Sequence, residues 1–306
     1  HVDARPATAA TMTMRKLPEF KAVPDTGEAL LPDLDIDVGL LRVDRFVFEP
    51  AVAGERQVAT LNGKIAIADR RAQVTANAAT ISGGGGRGDT LKLLLDAVPE
   101  QNRLAVTLDI SAPKGGVLAA MGGFEETLTA KLDGRGDWKV WNGNLTANLG
   151  AAPLARVALT GRDGTFAAKG TAQASRMFAE GPVAEILGSE TAINLTAKPD
   201  KRKAAIDGRL SSDAAELGIS GGVDLGTSRY EGLQLAVNIL RPGAIAPAVR
   251  ANGLRATATL DGEFALPTVD YQANANSLAV NDIIVEGLSL AGKARVDADQ
   301  IVIPVA

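Results

Sequence analysis

The stretch Thr90–Ile110, TLKLLLDAVPEQNRLAVTLDI, decides how this chain folds. Leu91, Leu93, Leu95 and Ala97 fall at alternate positions, the segment VPEQNR supplies a turn, and Leu104, Val106, Leu108 and Ile110 alternate on the return. Period 2 is the mark of a half-buried strand, because successive side chains point to opposite faces. Lys92, Asp96, Thr107 and Asp109 take the other parity and face water, with Leu94 as the one break. The reading is a β-hairpin with a single apolar face. A lone hairpin cannot bury that face, so it must be one unit of a larger sheet.

The rest of the chain repeats this unit. Leu34, Ile36 and Val38 alternate with Asp33, Asp35 and Asp37, and LLRVDRFVFEP follows with Val43, Phe46 and Phe48. Val58 to Ala68 and Ala72 to Ala78 form a pair joined at Asp69-Arg70-Arg71, and Gly83 to Gly88 is a flexible tip. Phe124 to Gly134, Trp141 to Leu149, Ala155 to Leu159 and Gly164 to Ala172 keep the habit, with Asp133-Gly134 and Asp163-Gly164 read as tight turns. It resumes through Ile193, Leu195, Ile206, Leu210, Leu217, Leu233 and Leu235, and on to Ile284 to Val296 and Ile301 to Ile303. About sixteen strands spaced on the order of 12–16 residues make a long all-β meander. Residues 1–29, with Pro6, Pro18 and Pro24, read as an extended lead-in, and 30–306 as one continuous shaft. Short helical interruptions are expected near 113–123 and 172–188, and another piece near Gly243 to Arg250.

Composition narrows the function classes. Hydrophobic residues make up 46% of the 306 positions but aromatics only 4%, which suits closely stacked strands of small and aliphatic side chains. A formal charge of −4 with no basic stripe gives no reason to bind nucleic acid. The single histidine is His1 and cysteine is absent, so thiol and histidine-based triads are unavailable and no metal site or cofactor is expected. The acids lie in turns or on the polar parity of strands, so an enzyme would have to work with carboxylates alone. GGGGRGDT, Gly83 to Thr90, has phosphate-loop spacing, but Asp89 stands where a lysine would meet phosphate. In Asp33-Asp35-Asp37, Val38 replaces the glycine that a calcium loop needs. No apolar run is long enough to cross a bilayer as a helix, and the chain reads as an excerpt whose targeting or anchoring segment could lie outside it.

One continuous apolar face across many strands can close as a sandwich or barrel with a dry core, or curl into a trough offering a hydrocarbon-like lining. Periodicity leaves these open. The segment LTAKLDGRGDWKVWNGNLTANLG, Leu128 to Gly150, resembles the Gly-x-Gly-Asp-Trp turn and W-x-G-x-L strand of the TamB family, the translocation and assembly module proteins of Gram-negative envelopes. LLRVDRFVFEPAVAGERQVATLNGKIAIADRRAQVTANA and LDISAPKGGVLAAMGG, Leu108 to Gly123, are similar to its recurring strand patterns and to a Gly-flanked stretch of alphaproteobacterial members.

The resemblance implies an elongated, curled, mainly antiparallel β-sheet, a β-taco groove. It implies a periplasmic segment tethered to the inner membrane through a part absent from this chain, conducting phospholipids to the outer membrane. The implied partners are phospholipid acyl chains and, through other parts of the full protein, an outer-membrane barrel of the TamA type. On that reading the lipid lining is Leu91, Leu93, Leu95, Leu104, Val106, Leu108, Ile110, Leu132, Leu145, Val157, Leu159, Ile193, Leu195, Ile206 and Leu210. The second reading is a non-enzymatic structural stalk or secreted β-rich passenger whose interior is simply packed. A carboxylate-only glycan enzyme is a distant third.

Overall fold

The computed structural model describes residues 2–4, 7–9, 12–14, 36–48, 57–68, 71–80, 88–98, 103–114, 126–137, 139–178, 181–200, 202–264, 266–281 and 283–295. The glycine tip at 83–87, the segment Gly115 to Gly123, the turn residues Asp69 and Arg70, and Ile301 to Ile303 lie outside them. The chain forms two compact units, His1–Leu17 with Val23–Gly164 and Pro18–Ala22 with Thr165–Ala306.

In the first unit, β1 (Val2–Ala4), β2 (Ala7–Ala9) and β3 (Met12–Met14) lie parallel to β4 (Ile36–Phe48). An antiparallel ladder then runs in chain order through β5 (Gln57–Ala68), β6 (Arg71–Thr80), β7 (Thr90–Val98), β8 (Arg103–Ala112), β9 (Leu128–Gly136), β10 (Val140–Leu149) and β11 (Ala152–Arg162). The founding hairpin is β7–β8, with Leu91 opposite Ile110, Leu93 opposite Leu108 and Leu95 opposite Val106. Its outward Leu94 is 48% exposed, so the break in alternation is a leucine in water.

The second unit is built the same way from β12 (Thr165–Ala172), β13 (Thr191–Asp200), β14 (Lys203–Ser211), β15 (Ala215–Asp224), β16 (Arg229–Ile239), β17 (Val249–Asn252), β18 (Arg255–Glu263), β19 (Thr268–Val280) and β20 (Ile283–Arg295). The short β17 pairs with the end of β19. Between β12 and β13 stand a 3-10 turn (Ala174–Met177) and one helix, α1 (Pro182–Leu187), with Pro182 in its first turn. Ser212 Oγ holds α1 to the strand ends, donating to the Ile186 carbonyl at 2.6 Å and accepting from Ala214 N and Ala215 N.

The expected curl is corrected by the ladder itself. A sheet bends sharply across its strands where bulges recur at matching places on successive strands. Here β4 carries two register shifts against β5, but the ladders from β5 to β10 contain none. In the second unit, among the described residues, the shifts fall at β15–β16 and β16–β18, while β12–β15 and β18–β20 keep one register, with Asn276 and Gly287 left out of the β19–β20 ladder. Among the described residues no pairing joins β4 to β11 or β12 to β20, so neither unit closes. Each unit is an all-β, mainly antiparallel sheet that is neither closed nor strongly curled, and the β-taco groove expected from the resemblance is not formed.

Two local expectations change as well. Asp133-Gly134 lies inside β9, while Asp163-Gly164 is a true tight turn with both residues at positive φ. The helical piece near 243 is a single 3-10 turn, Pro242–Ala244, followed by β17.

Candidate functional site

The residues expected to line a groove fall into cross-strand rows. One row runs Ala76, Leu93, Leu108, Leu132, Leu145 and Val157 over β6 to β11, each directly opposite the next. The neighbouring row runs Val74, Leu95, Val106, Gly134, Gly143 and Leu159. Leu91 and Ile110 form a third pair, and Leu104 opposes Ala97 on one side and Gly136 on the other. In the second unit Ile193, Leu210, Leu217, Val237 and Ala256 make one row. Leu195, Gly208, Ile219 and Leu235 make the next, and Ile206 opposes Ala197. Directly opposed side chains sit about 5 Å apart at Cβ, so each leucine rests on the leucine beside it. Val157 is buried and the other predicted residues are half-buried.

Two glycine-rich positions are filled by rings. The Trp141 indole lies over Gly134 and Gly143, where an added Cβ would stand 1.8 Å from Cζ2 and 2.5 Å from Cη2. This explains the spacing of the GRGDWKVWNG motif: the glycines of β9 and β10 leave the room that one indole takes. Its buried Nε1–H has no acceptor among the described residues, a cost that the covered ring surface must outweigh. Tyr271 treats Gly292 in the same way, with its hydroxyl 2.7 Å from a Cβ built there. Asp137 closes the β9–β10 turn by accepting from the N–H groups of Lys139 and Val140.

The polar face carries charge pairs. Arg71 Nε and Nη2 each donate to one Asp96 carboxylate oxygen at 2.7 Å, and Arg103 Nη2 stands 3.7 Å away. The Arg71 hydrogen bonds hold the Asp96 carboxyl below its usual range, and Asp96 in turn raises Arg71. Lys203 is likewise raised, chiefly by its hydrogen bond to Glu231. Asp96 is tied in this way to the strands on both sides of β7, whereas Lys203 on β14 reaches across β15 to Glu231 on β16.

Of the residues expected to line a groove, Ile206 borders a surface hollow, beside Ala204 and Ala205. This hollow, of about 530 Å3, is also bordered by Lys198, Asp200, Lys203, Asp207 and Glu231, around the bulge at Gly221. A second of about 430 Å3 adjoins it at Asp207 and Ser220 and includes Gln234, Thr257 and Thr259. Both are shallow and mix charged or polar side chains with apolar ones, Ala204, Ala205 and Ile206 in the first and Ile219, Leu235 and Ala258 in the second. With the sheet uncurled and the leucine rows packed side by side, the expectation of a hydrophobic groove conducting phospholipids is corrected. The leucines meet one another across the strands.

Among the described residues no three His, Asp or Glu side chains gather where a metal could sit, and no helix is long and apolar enough to cross a membrane. No family model matches the chain, and no characterised protein or solved structure is significantly similar to it.

The sequence reading passed over two features. One is the ring-on-glycine packing, whose signal was the clustering of Gly134, Gly136 and Gly143 about Trp141. The other is β20, where Ile283 is 70% exposed and Ile284 67%. There the signal was three consecutive β-branched residues on both parities.

Proposed function

We propose that this chain is a structural β-rich module, a stalk or passenger segment, that performs no chemistry of its own. The observation that carries the reading is the uninterrupted register from β5 to β10, in which Leu93, Leu108, Leu132 and Leu145 pack directly against one another. A stalk needs unit-by-unit stacking of this kind, because each strand then supports its neighbours and load is shared along the ladder. The likeness of Leu128–Gly150 to the TamB family supports a setting in the periplasm. There the module would be tethered to the inner membrane by a segment outside this chain, with a barrel of the TamA type as partner of the whole protein.

The test is thermal unfolding of the chain before and after complete delipidation and refolding. The structural reading predicts the same midpoint and the same cooperative transition in both preparations. A midpoint that falls on delipidation and returns with added phospholipid would overturn it.

A further inference from the structure

The sequence holds three Asn-Gly dipeptides, Asn62-Gly63, Asn142-Gly143 and Asn252-Gly253. Asparagine is a thermolabile residue, and it is most labile before glycine, which has no side chain to keep its backbone nitrogen from the asparagine amide. All three asparagines are exposed, so access to water does not separate them. Their backbones do. Gly63 lies in β5 between Leu41 of β4 and Ala76 of β6, and Gly143 lies in β10 between Gly134 of β9 and Leu159 of β11. A residue flanked on both sides gives its N–H to one ladder or the other, and the pairing holds the asparagine before it at a strand ψ of about +135°.

Gly253 belongs to no strand. β17 ends at Asn252 and β18 begins at Arg255, and both pair with β19 in one register, Asn252 opposite Ser277 and Arg255 opposite Asn274. Gly253 therefore comes level with Asn276, which is left out of the ladder with β20 together with Gly287. Gly253 and Gly287 both have φ +65°, so the ladder is interrupted at one level across neighbouring strands. Among the described residues the Gly253 N–H donates to no backbone carbonyl. A Cβ built on Gly253 would stand 2.8 Å from Asn276 Nδ2, so both the left-handed φ and the space call for glycine at this position.

We infer that Asn252-Gly253 is a self-modifying site, at which asparagine is converted to aspartate and isoaspartate while the chain is folded. The Gly253 nitrogen attacks the carbonyl carbon of the Asn252 side chain. A bond forms between them, the bond to the side-chain nitrogen breaks, and ammonia leaves carrying the proton of the Gly253 N–H. Water then opens the cyclic imide: breaking the bond to the side-chain carbonyl leaves aspartate, and breaking the bond to the main-chain carbonyl leaves isoaspartate. One water enters, one ammonia leaves, and nothing is oxidised or reduced. Either product puts a new carboxylate at the end of β17. The isoaspartate backbone is also one methylene longer, which takes β17 and β18 out of the register they share on β19.

The experiment incubates the full chain at neutral pH, folded and in denaturant, and follows each Asn-Gly pair by peptide mapping with mass spectrometry, fragment spectra telling isoaspartate from aspartate. In denaturant the three sites share one dipeptide and should convert at similar rates. In the folded chain a ladder amide reacts only when its strands open, so Asn62 and Asn142 should fall at least about tenfold behind Asn252, and isoaspartate should accumulate at 252. The same ratio of rates in the folded chain as in denaturant, conversion led by Asn62 or Asn142, or an Asn252 that stays intact in the folded chain while converting in denaturant would each overturn the inference.

Discussion

Replacing Gly134 by alanine should expel the Trp141 indole from the sheet. The new Cβ would stand 1.8 Å from Cζ2, far inside contact distance, and Gly134 lies within β9 with no positive φ to complicate the comparison. The ring therefore has to move. If roughly 100 Å2 of its surface returns to water, the loss is about 2.5 kcal/mol at 25 cal/mol per Å2. For chains of this order each kcal/mol shifts the midpoint by about 2–4 °C, so a fall of about 5–10 °C is expected.

Emission from Trp141 should shift to the red, read in a Trp138→Phe background so that one indole remains. Coupling separates this from a generic strand effect. With Trp141→Ala already in place, Gly134→Ala should be neutral or stabilising by about 0.5–1 kcal/mol, because alanine suits an extended strand better than glycine. An unshifted spectrum and unchanged midpoint in Gly134→Ala, or equal destabilisation with and without the indole, would refute the reasoning.

Leu108→Ala, in the middle of the leucine row, should cost about 2–3 kcal/mol in denaturant unfolding, and a loss close to zero would mean that the row is not packed. Asp96 is held below the ordinary carboxylate range in the fold by Arg71, so its contribution is present above the unfolded value and disappears as pH falls through the folded one. The difference in stability between the parent and Asp96→Asn should therefore shrink as acid titration passes below about pH 4, and a difference constant down to pH 2 would contradict the pairing. Ser212→Ala removes the hydroxyl that ties α1 to the strand ends. Hydrogen exchange at 182–187 should speed up while that of β5 to β9 stays unchanged.

How far the fold could be read from sequence follows from what alternation encodes. Period 2 tells which side chains share a face, and Leu91, Leu93 and Leu95 stand opposite Ile110, Leu108 and Val106 as the hairpin requires. Alternation says nothing about curvature, which depends on single extra residues in one strand of a pair. The shifts on β4 are hidden in IDVGLLRVDRFVF because each displaces the apolar set by one residue and alternation then resumes. Hence the curl inferred from family likeness had no support in the residues. Asp133-Gly134 looked like a turn because that dipeptide favours turns, yet the room Trp141 needs keeps it in a strand. Four residues of β17 are too few to display any period.

Of the candidate site, the residues of the apolar face were legible one by one. Their packing against each other was not, since contact is a property of register. The exposed side chains of β20 were equally hidden, because alternation does not tell how deeply a face is covered.

The most direct test of the structural account is photocrosslinking in cells from Leu93, Val106 and Leu195, with Lys92 and Thr107 as outward controls. The account predicts that the three apolar positions crosslink to protein and yield no lipid adducts above the controls. Lipid adducts confined to Leu93, Val106 and Leu195 would contradict it.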